Sequence, residues 1–187
     1  RVYVVDRDNR RIQVFDPEGV FITAWETNDS LPAGIAVHQS LVYVTDSAHH
    51  RVLVYTLAGA FVRQWGGYGG FFGQFFSPAG VAVAADGSIY VADSGNHRIQ
   101  RFSSDGRFLS AFGSYGQRCW QFDTPSFIWA LPDGRLLVTD QAMNRVQEFS
   151  ADGGCITWWG RSGSGDGQLR SPLGIVSDST GRVYVAD

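Results

Sequence analysis

The sequence contains no lysine, so all 15 of its cations are arginines. Against 18 acidic residues they leave a formal net charge of −3. That balance gives no general attraction to nucleic acid or to an anionic membrane surface. No apolar run approaches the roughly 20 residues that a membrane-spanning helix requires, and no secretory leader is visible. Histidine is scarce: His38, His49, His50 and His97 are the full set. His50 and His97 occupy one repeat position and only His38 stands apart, so three converging imidazoles cannot be assembled and no metal is expected. The glycine-rich stretches GGYGGFFG and GRSGSGDG lack the following helix and the lysine of a phosphate loop. No Ser/His/Asp spacing stands out. No cofactor and no catalytic residue are therefore expected from this chain. There are two cysteines. Cys155 falls where other repeat copies carry Phe21, Phe61 and Phe108, and reads as a small buried apolar residue. Cys119 lies in a loop, and because the two positions are not repeat equivalents a disulfide between them is the less expected state.

What is present is a repeat. The segment Ile89 to Gly113, IYVADSGNHRIQRFSSDGRFLSAFG, returns as copies beginning at Val2, Val42 and Leu136, and VYVAD at the end of the chain begins a fifth. The strand-ending aspartates Asp6, Asp46, Asp93, Asp140 and Asp187 are spaced 40, 47, 47 and 47 residues apart. β-branched and apolar runs separated by Asp/Gly/Asn turns predict short strands, called b (IYVAD), c (RIQRF) and d (RFLSAF). The linkers supply a fourth, a (GVAVA). A lone four-stranded meander has two apolar faces and cannot bury them, whereas units stacked radially bury both. The period therefore predicts an all-β chain, a β-propeller of four-stranded antiparallel blades with about four blades present. The predicted division is strands b–c–d over 1–26, full blades over 31–66, 78–113 and 125–160, and strands a–b over 172–187. This count leaves a surplus strand if four blades close, so the chain reads as a fragment of a larger ring or as one that closes by self-association through unpaired blade edges.

The strand ending in Asp, the run S-G-N-H-R-I-Q, and the linkers GQFFSPAG (Gly73–Gly80), WQFDTPSF (Trp120–Phe127) and GQLRSPLG (Gly167–Gly174) resemble the NHL repeat. The resemblance covers essentially the whole chain. It implies a six-bladed ring, of which this is a part. It leaves function open, because similar domains include RNA-binding and protein-binding modules of tripartite-motif ubiquitin ligases, extracellular sensor domains of bacterial kinases, and the lyase that matures amidated peptides. An exported bacterial location and a cytoplasmic one are both compatible with it.

The alternation of strand directions puts the b–c turns and the longer d–a loops on one face, here the upper, where a rigid scaffold would carry function. The pairs Asp6/Arg11, Asp46/Arg51, Asp93/Arg98 and Asp140/Arg145 flank the b–c turns and are read as structural ties. Candidate binding residues come from departures within the repeat. Phe71, Phe72 and Phe76 occupy positions that are polar or small in the sister loops, and Tyr68 and Tyr115 could extend that cluster. It is either a binding patch or a loop folded back over a neighbouring blade. Trp120 replaces a glycine, Phe127 replaces Gly34, Gly80 and Gly174, and Trp129 replaces Ala36, Ala82 and Val176, so these aromatics either line the axis as a ligand wall or repack it. The expected function is non-catalytic recognition of a protein or peptide through the upper face. The alternatives are a lyase or hydrolase with a site at the channel mouth completed by further blades, and single-stranded RNA binding. RNA is disfavoured because the charges of the upper face sum to about neutral.

Overall fold

Strand-forming residues alternate along short segments, and each segment ends at a turn. A computed structural model describes all 187 residues. Blade 1 has three strands, β1 (Val2–Asp6), β2 (Arg11–Phe15) and β3 (Phe21–Glu26). Blade 2 is β4 (Pro32–His38), β5 (Leu41–Asp46), β6 (Arg51–Thr56) and β7 (Phe61–Gly66). Blade 3 is β8 (Pro78–Val83), β9 (Ile89–Asp93), β10 (Arg98–Phe102) and β11 (Phe108–Phe112). A two-residue parallel pair, β12 (Ser114–Tyr115) and β13 (Gln121–Phe122), closes the base of the next loop. Blade 4 is β14 (Pro125–Ala130), β15 (Leu136–Asp140), β16 (Arg145–Phe149) and β17 (Cys155–Trp159), and β18 (Ile175–Ser177) with β19 (Val183–Val185) follow. Every blade is an antiparallel meander in chain order. The one helical element is a single 3₁₀ turn at Ser94–Asn96.

The same register recurs from blade to blade. Each b-strand aspartate faces its c-strand arginine across a turn: Asp6↔Arg11, Asp46↔Arg51, Asp93↔Arg98 and Asp140↔Arg145. The residue before each arginine takes the left-handed conformation that closes the turn: Arg10, His50, His97 and Asn144 have φ of 53°, 56°, 55° and 54°. His50 Nδ1 and Asn144 Oδ1 accept the Ser77 and Ser171 N–H groups at 3.0 and 2.8 Å, tying these turns to the loop that leads into the next blade. The outermost strand carries a bulge at the same place in each blade.

Inner strands meet at backbone contact. A Cβ on Gly34 would lie 2.5 Å from the Ala79 carbonyl oxygen, and one on Gly80 would lie 2.5 Å from that of Ser126. Thr45 ties two blades there, accepting the Gly34 N–H at 2.7 Å and donating to the Ala79 carbonyl. Thr139 repeats the device with Phe127 N–H at 3.0 Å and the Leu173 carbonyl at 2.9 Å. Between the blades lies the core. Tyr43, Val52, Phe75 and Phe102 fill the space between blades 2 and 3, and Phe112, Phe122, Ile128 and Phe149 fill that between blades 3 and 4. Each such buried side chain contributes about 1.5–3 kcal/mol of apolar burial. Strands β1, β4, β8, β14 and β18 line an axial groove of about 710 Å³ that is open on one side.

One expectation needs correcting. Cys119 and Cys155 form a disulfide, with Cα atoms 6.0 Å apart. Cys155 is half-buried, not an isolated core residue. The two positions are indeed not equivalent to each other, but as a pair they are equivalent to Phe72 and Phe108. Those two residues have the same sequence separation of 36, and their rings stack at 4.8 Å one blade earlier. The same loop-to-outer-strand contact is made by an aromatic stack in blade 3 and by a covalent bond in blade 4. Reduction is therefore expected to lower the unfolding free energy by about 2–4 kcal/mol, from released loop entropy. Thermal melts with and without dithiothreitol check this, and identical midpoints would contradict it.

Candidate recognition surface

The surface is built on the Asp–Arg ties. Asp93 is fully buried and accepts Arg98 Nε at 2.7 Å, Gln100 Nε2 at 2.9 Å, Asn96 Nδ2 at 2.9 Å and the Phe76 N–H at 2.7 Å. The tie uses only Nε of the guanidinium. Its other two nitrogens reach out to the loop between blades 2 and 3. Nη1 donates to the Gly70 carbonyl at 2.9 Å, and Nη2 donates to those of Phe71 at 2.9 Å and Gln74 at 3.0 Å. Gln100 adds a bond to the Gln74 carbonyl at 2.6 Å and accepts the Gly73 N–H at 2.9 Å. A planar fork with several donors suits this job as lysine would not. The loop backbone is thus held against blade 3, with Phe75 buried in the core and Phe71 left exposed.

Blade 4 repeats the arrangement less tightly. Arg145 holds the Gln117 and Gln121 carbonyls at 2.6 and 2.7 Å, but its contacts to Asp140 are 3.3 and 3.4 Å. The turn donor is missing as well. Asn9, His49 and Asn96 bond their aspartates, whereas Met143 stands at that position in blade 4. Burial pushes the Asp140 carboxyl above its ordinary value, against the opposing Thr124 N–H and Arg145. At Asp46 burial acts the same way but is outweighed by the Leu31 N–H, Arg51 and the His49 N–H, which hold the carboxyl below its ordinary value.

The candidate aromatics do not form one patch. Tyr68 and Phe76 pack with His50, with centroids 5.0 to 5.8 Å apart. Phe72 lies in the wedge between blades 2 and 3, stacked on Phe108 and beneath the Arg98 guanidinium at 5.9 Å. This loop does fold back over its neighbour, through its backbone and through the Phe72 ring. Phe71 is 81% exposed, Tyr68 70% and Phe72 69%. Tyr115 is exposed against His97 at 5.0 Å. Trp120 has φ +79°, where Gly73 and Gly167 have +83° and +72°. A bulky residue in that conformation is held only by its surroundings, here the adjacent Cys119 disulfide and a bond from its N–H to Gln147 Oε1 at 3.2 Å. Phe127 and Trp129 lie elsewhere, in the axial groove. The Trp129 indole donates to Ser177 Oγ at 2.9 Å, and both rings pack against the cluster of Leu131, Leu137 and Ile175. Arg7 is the one charged residue of that groove, which contains no His, Asp or Glu. No three His, Cys, Asp or Glu side chains converge as metal ligands.

Sequence reasoning missed Trp158, half-exposed with the Arg145 guanidinium 5.6 Å from its ring. The available signal was its repeat position, held by Ala24, Gln64 and Ala111 in the sister blades.

The weak tie at Asp140 yields a prediction. Met143→Asn restores the missing donor and is expected to stabilise the fold by about 1 kcal/mol at neutral pH. The pH dependence follows from the direction of each shift. Native Asp140 binds its proton more tightly than the unfolded chain does, so its contribution falls as pH rises from the ordinary carboxylate value through its raised one. Asp46 does the reverse, and its contribution is lost as pH falls through its lowered value. Melting midpoints of both proteins across acid and neutral pH check this. A variant no more stable than wild type near neutrality would contradict it.

Residues 30–55 and 75–102 match the family profile of the NHL repeat, and each match covers strands a, b and c of one blade. A 52-residue stretch is 52% identical to the RING finger protein nhl-1 of Caenorhabditis elegans, covering 27% of this chain and 5% of that protein. Among solved structures, the streptogramin B lyase superposes with a TM-score of 0.69 at 15% identity, covering 99% of this chain and 64% of that one. The virginiamycin B lyase of Staphylococcus aureus gives 0.69 at 17% identity, over 98% and 58%. A structural-genomics protein from Bacteroides thetaiotaomicron gives 0.70 at 22% identity, over 99% and 49%. The chain thus spans under two thirds of each relative's length, and at these identities the structural likeness carries the fold alone. With two matched NHL repeats, a 47-residue period and four-stranded blades around a common axis, the chain is a β-propeller that carries NHL repeats.

Proposed function

We propose that this chain is a non-catalytic recognition scaffold that binds a protein or peptide through the loop between blades 2 and 3. Phe71 and Phe72 are the apolar anchors, and Tyr68 with Phe76 on His50, and Tyr115 and Trp120 at the next blade, are separate contacts beside them. Phe127 and Trp129 offer a secondary contact near the axis. One observation carries the reading: large aromatic side chains stand exposed on a loop whose backbone is pinned by Arg98 and Gln100. Exposed anchors on a rigid support lose little conformational freedom on binding, which favours recognition. An isolated exposed apolar residue would need no such explanation, whereas a pinned group of them does. No helix is long and apolar enough to cross a membrane. RNA binding is the lesser reading, since the acidic and basic residues nearly cancel.

A random-peptide display library screened against the folded chain tests the proposal. Selected peptides are expected to lose at least tenfold in affinity on Phe71→Asp, with the melting midpoint unchanged, and on Phe72→Asp, which also loses the stack on Phe108 and melts somewhat lower. Peptides indifferent to both substitutions would contradict the proposal. Saturable oligonucleotide binding that weakens steeply with salt would point to RNA instead.

A further inference from the structure

The three wedges between neighbouring blades, from blade 1 to blade 4, are not filled alike. The loops before blades 3 and 4 enter their wedges and are gripped there by Arg98 and Arg145. The connection before blade 2 is residues 27–31, whereas its counterpart before blade 3 is 67–77. The inserted part of the loop, the part that carries Phe71, Phe72 and the gripped carbonyls, is missing. In its place is a cleft of about 240 Å³ between blades 1 and 2, lined by Arg51, Leu53, Tyr55, Phe61, Gln64 and Ser30 among others.

The lining residues are the repeat equivalents of those that grip the loops elsewhere. Arg51 corresponds to Arg98 and Arg145, and it makes the same Nε bond to its aspartate, at 2.9 Å. Its outer nitrogens hold no backbone carbonyl. Nη1 bonds Gln64 Oε1 at 2.9 Å, and Nη2 has only Ser30 Oγ at 3.5 Å. Phe61 corresponds to Phe108, on which Phe72 stacks, and it is 58% exposed with no ring upon it from the loop side. Two lining residues differ from the filled wedges. Leu53 replaces Gln100 and Gln147, the glutamines that bond loop carbonyls. Tyr55 replaces Phe102 and Phe149, is only 5% exposed, and its hydroxyl makes no hydrogen bond within the chain. That hydroxyl is not one of the chain's buried unpaired polar atoms, so it opens onto the cleft and is free to meet a partner there.

We infer that the cleft between blades 1 and 2 is a second binding site, which takes an extended segment of a partner protein in the place that the chain's own loop fills in blades 3 and 4. The neighbouring wedges define the chemistry of the occupant. Two of its backbone carbonyls accept from the outer nitrogens of Arg51, an aromatic side chain stacks on Phe61 as Phe72 does on Phe108, and a polar group meets the Tyr55 hydroxyl. Arginine's fork geometry makes the carbonyl pairing specific to backbone or carboxylate groups. The site is separate from the Phe71 surface and does not depend on it.

The test uses a synthetic peptide carrying the sequence of residues 67–77 between solubilising lysines, titrated into the whole chain by fluorescence anisotropy. Saturable binding is expected, reduced at least tenfold by Phe61→Asp and also weakened by Tyr55→Phe. Phe72→Asp should leave it unchanged, which separates this site from the proposed recognition surface. A chimera carrying residues 67–77 in place of 27–31, together with Leu53→Gln, should fill the cleft from within. It is expected to melt higher than wild type and to bind no peptide. Absence of saturable binding, or binding untouched by Phe61→Asp, overturns the inference. Concentration-dependent self-association of the wild type that Phe61→Asp abolishes would also overturn it, by placing a second copy of the chain in the cleft.

Discussion

The structure depends on one arrangement: an arginine whose Nε is committed to a buried aspartate and whose outer nitrogens remain available. The buried carboxylate cannot stay without partners, since an uncompensated buried charge costs several kcal/mol. The commitment to Asp93 orients the Arg98 guanidinium, and the oriented fork then fixes three carbonyls of the loop that crosses from the previous blade. A local tie within one blade becomes a tie between blades. Lysine, with one compact charge, could not serve both sides at once, and its absence from the sequence accords with that use of arginine.

From this constraint follows the division between scaffold and surface. The backbone of the loop is spent on the fork and on Gln100, so its side chains are free to vary. In blade 3 Phe72 stacks against the outer strand, and in blade 4 the same contact is a disulfide beside a tryptophan in a left-handed conformation. Where the loop is short, the fork is left with side-chain partners only and a cleft appears. Constant grip with variable contents is how a repeat scaffold can diversify its binding without altering its fold.

The fold was legible because periodicity is a property of the sequence. The recurring aspartates, the Asp/Gly turns and the alternation of apolar residues specify blades without knowledge of any contact. The disulfide was not legible from comparing Cys119 with Cys155. It became so only by comparing the pair with Phe72 and Phe108, a step that needs to know that a loop touches the next blade's outer strand. The division of the aromatics was hidden for the same reason. Phe71 and Phe72 stand out in the sequence as departures from polar or small sister positions, but the place of Phe72 in a wedge depends on where Arg98 holds the backbone. The significance of the 40-residue first spacing was also in plain view. It reads as a missing loop segment only once the other loops are seen filling their wedges.

The central claim is that Arg98 holds the aromatic loop as a prebuilt surface. Amide hydrogen exchange across residues 67–77 in wild type and in Arg98→Lys tests it most directly. The account predicts protection of the Gly69, Gln74 and Phe75 amides, which are bonded within the loop, and a loss of that protection in the variant while β9 and β10 stay protected. Free exchange of these amides in the wild type, or protection unchanged by the substitution, would contradict it.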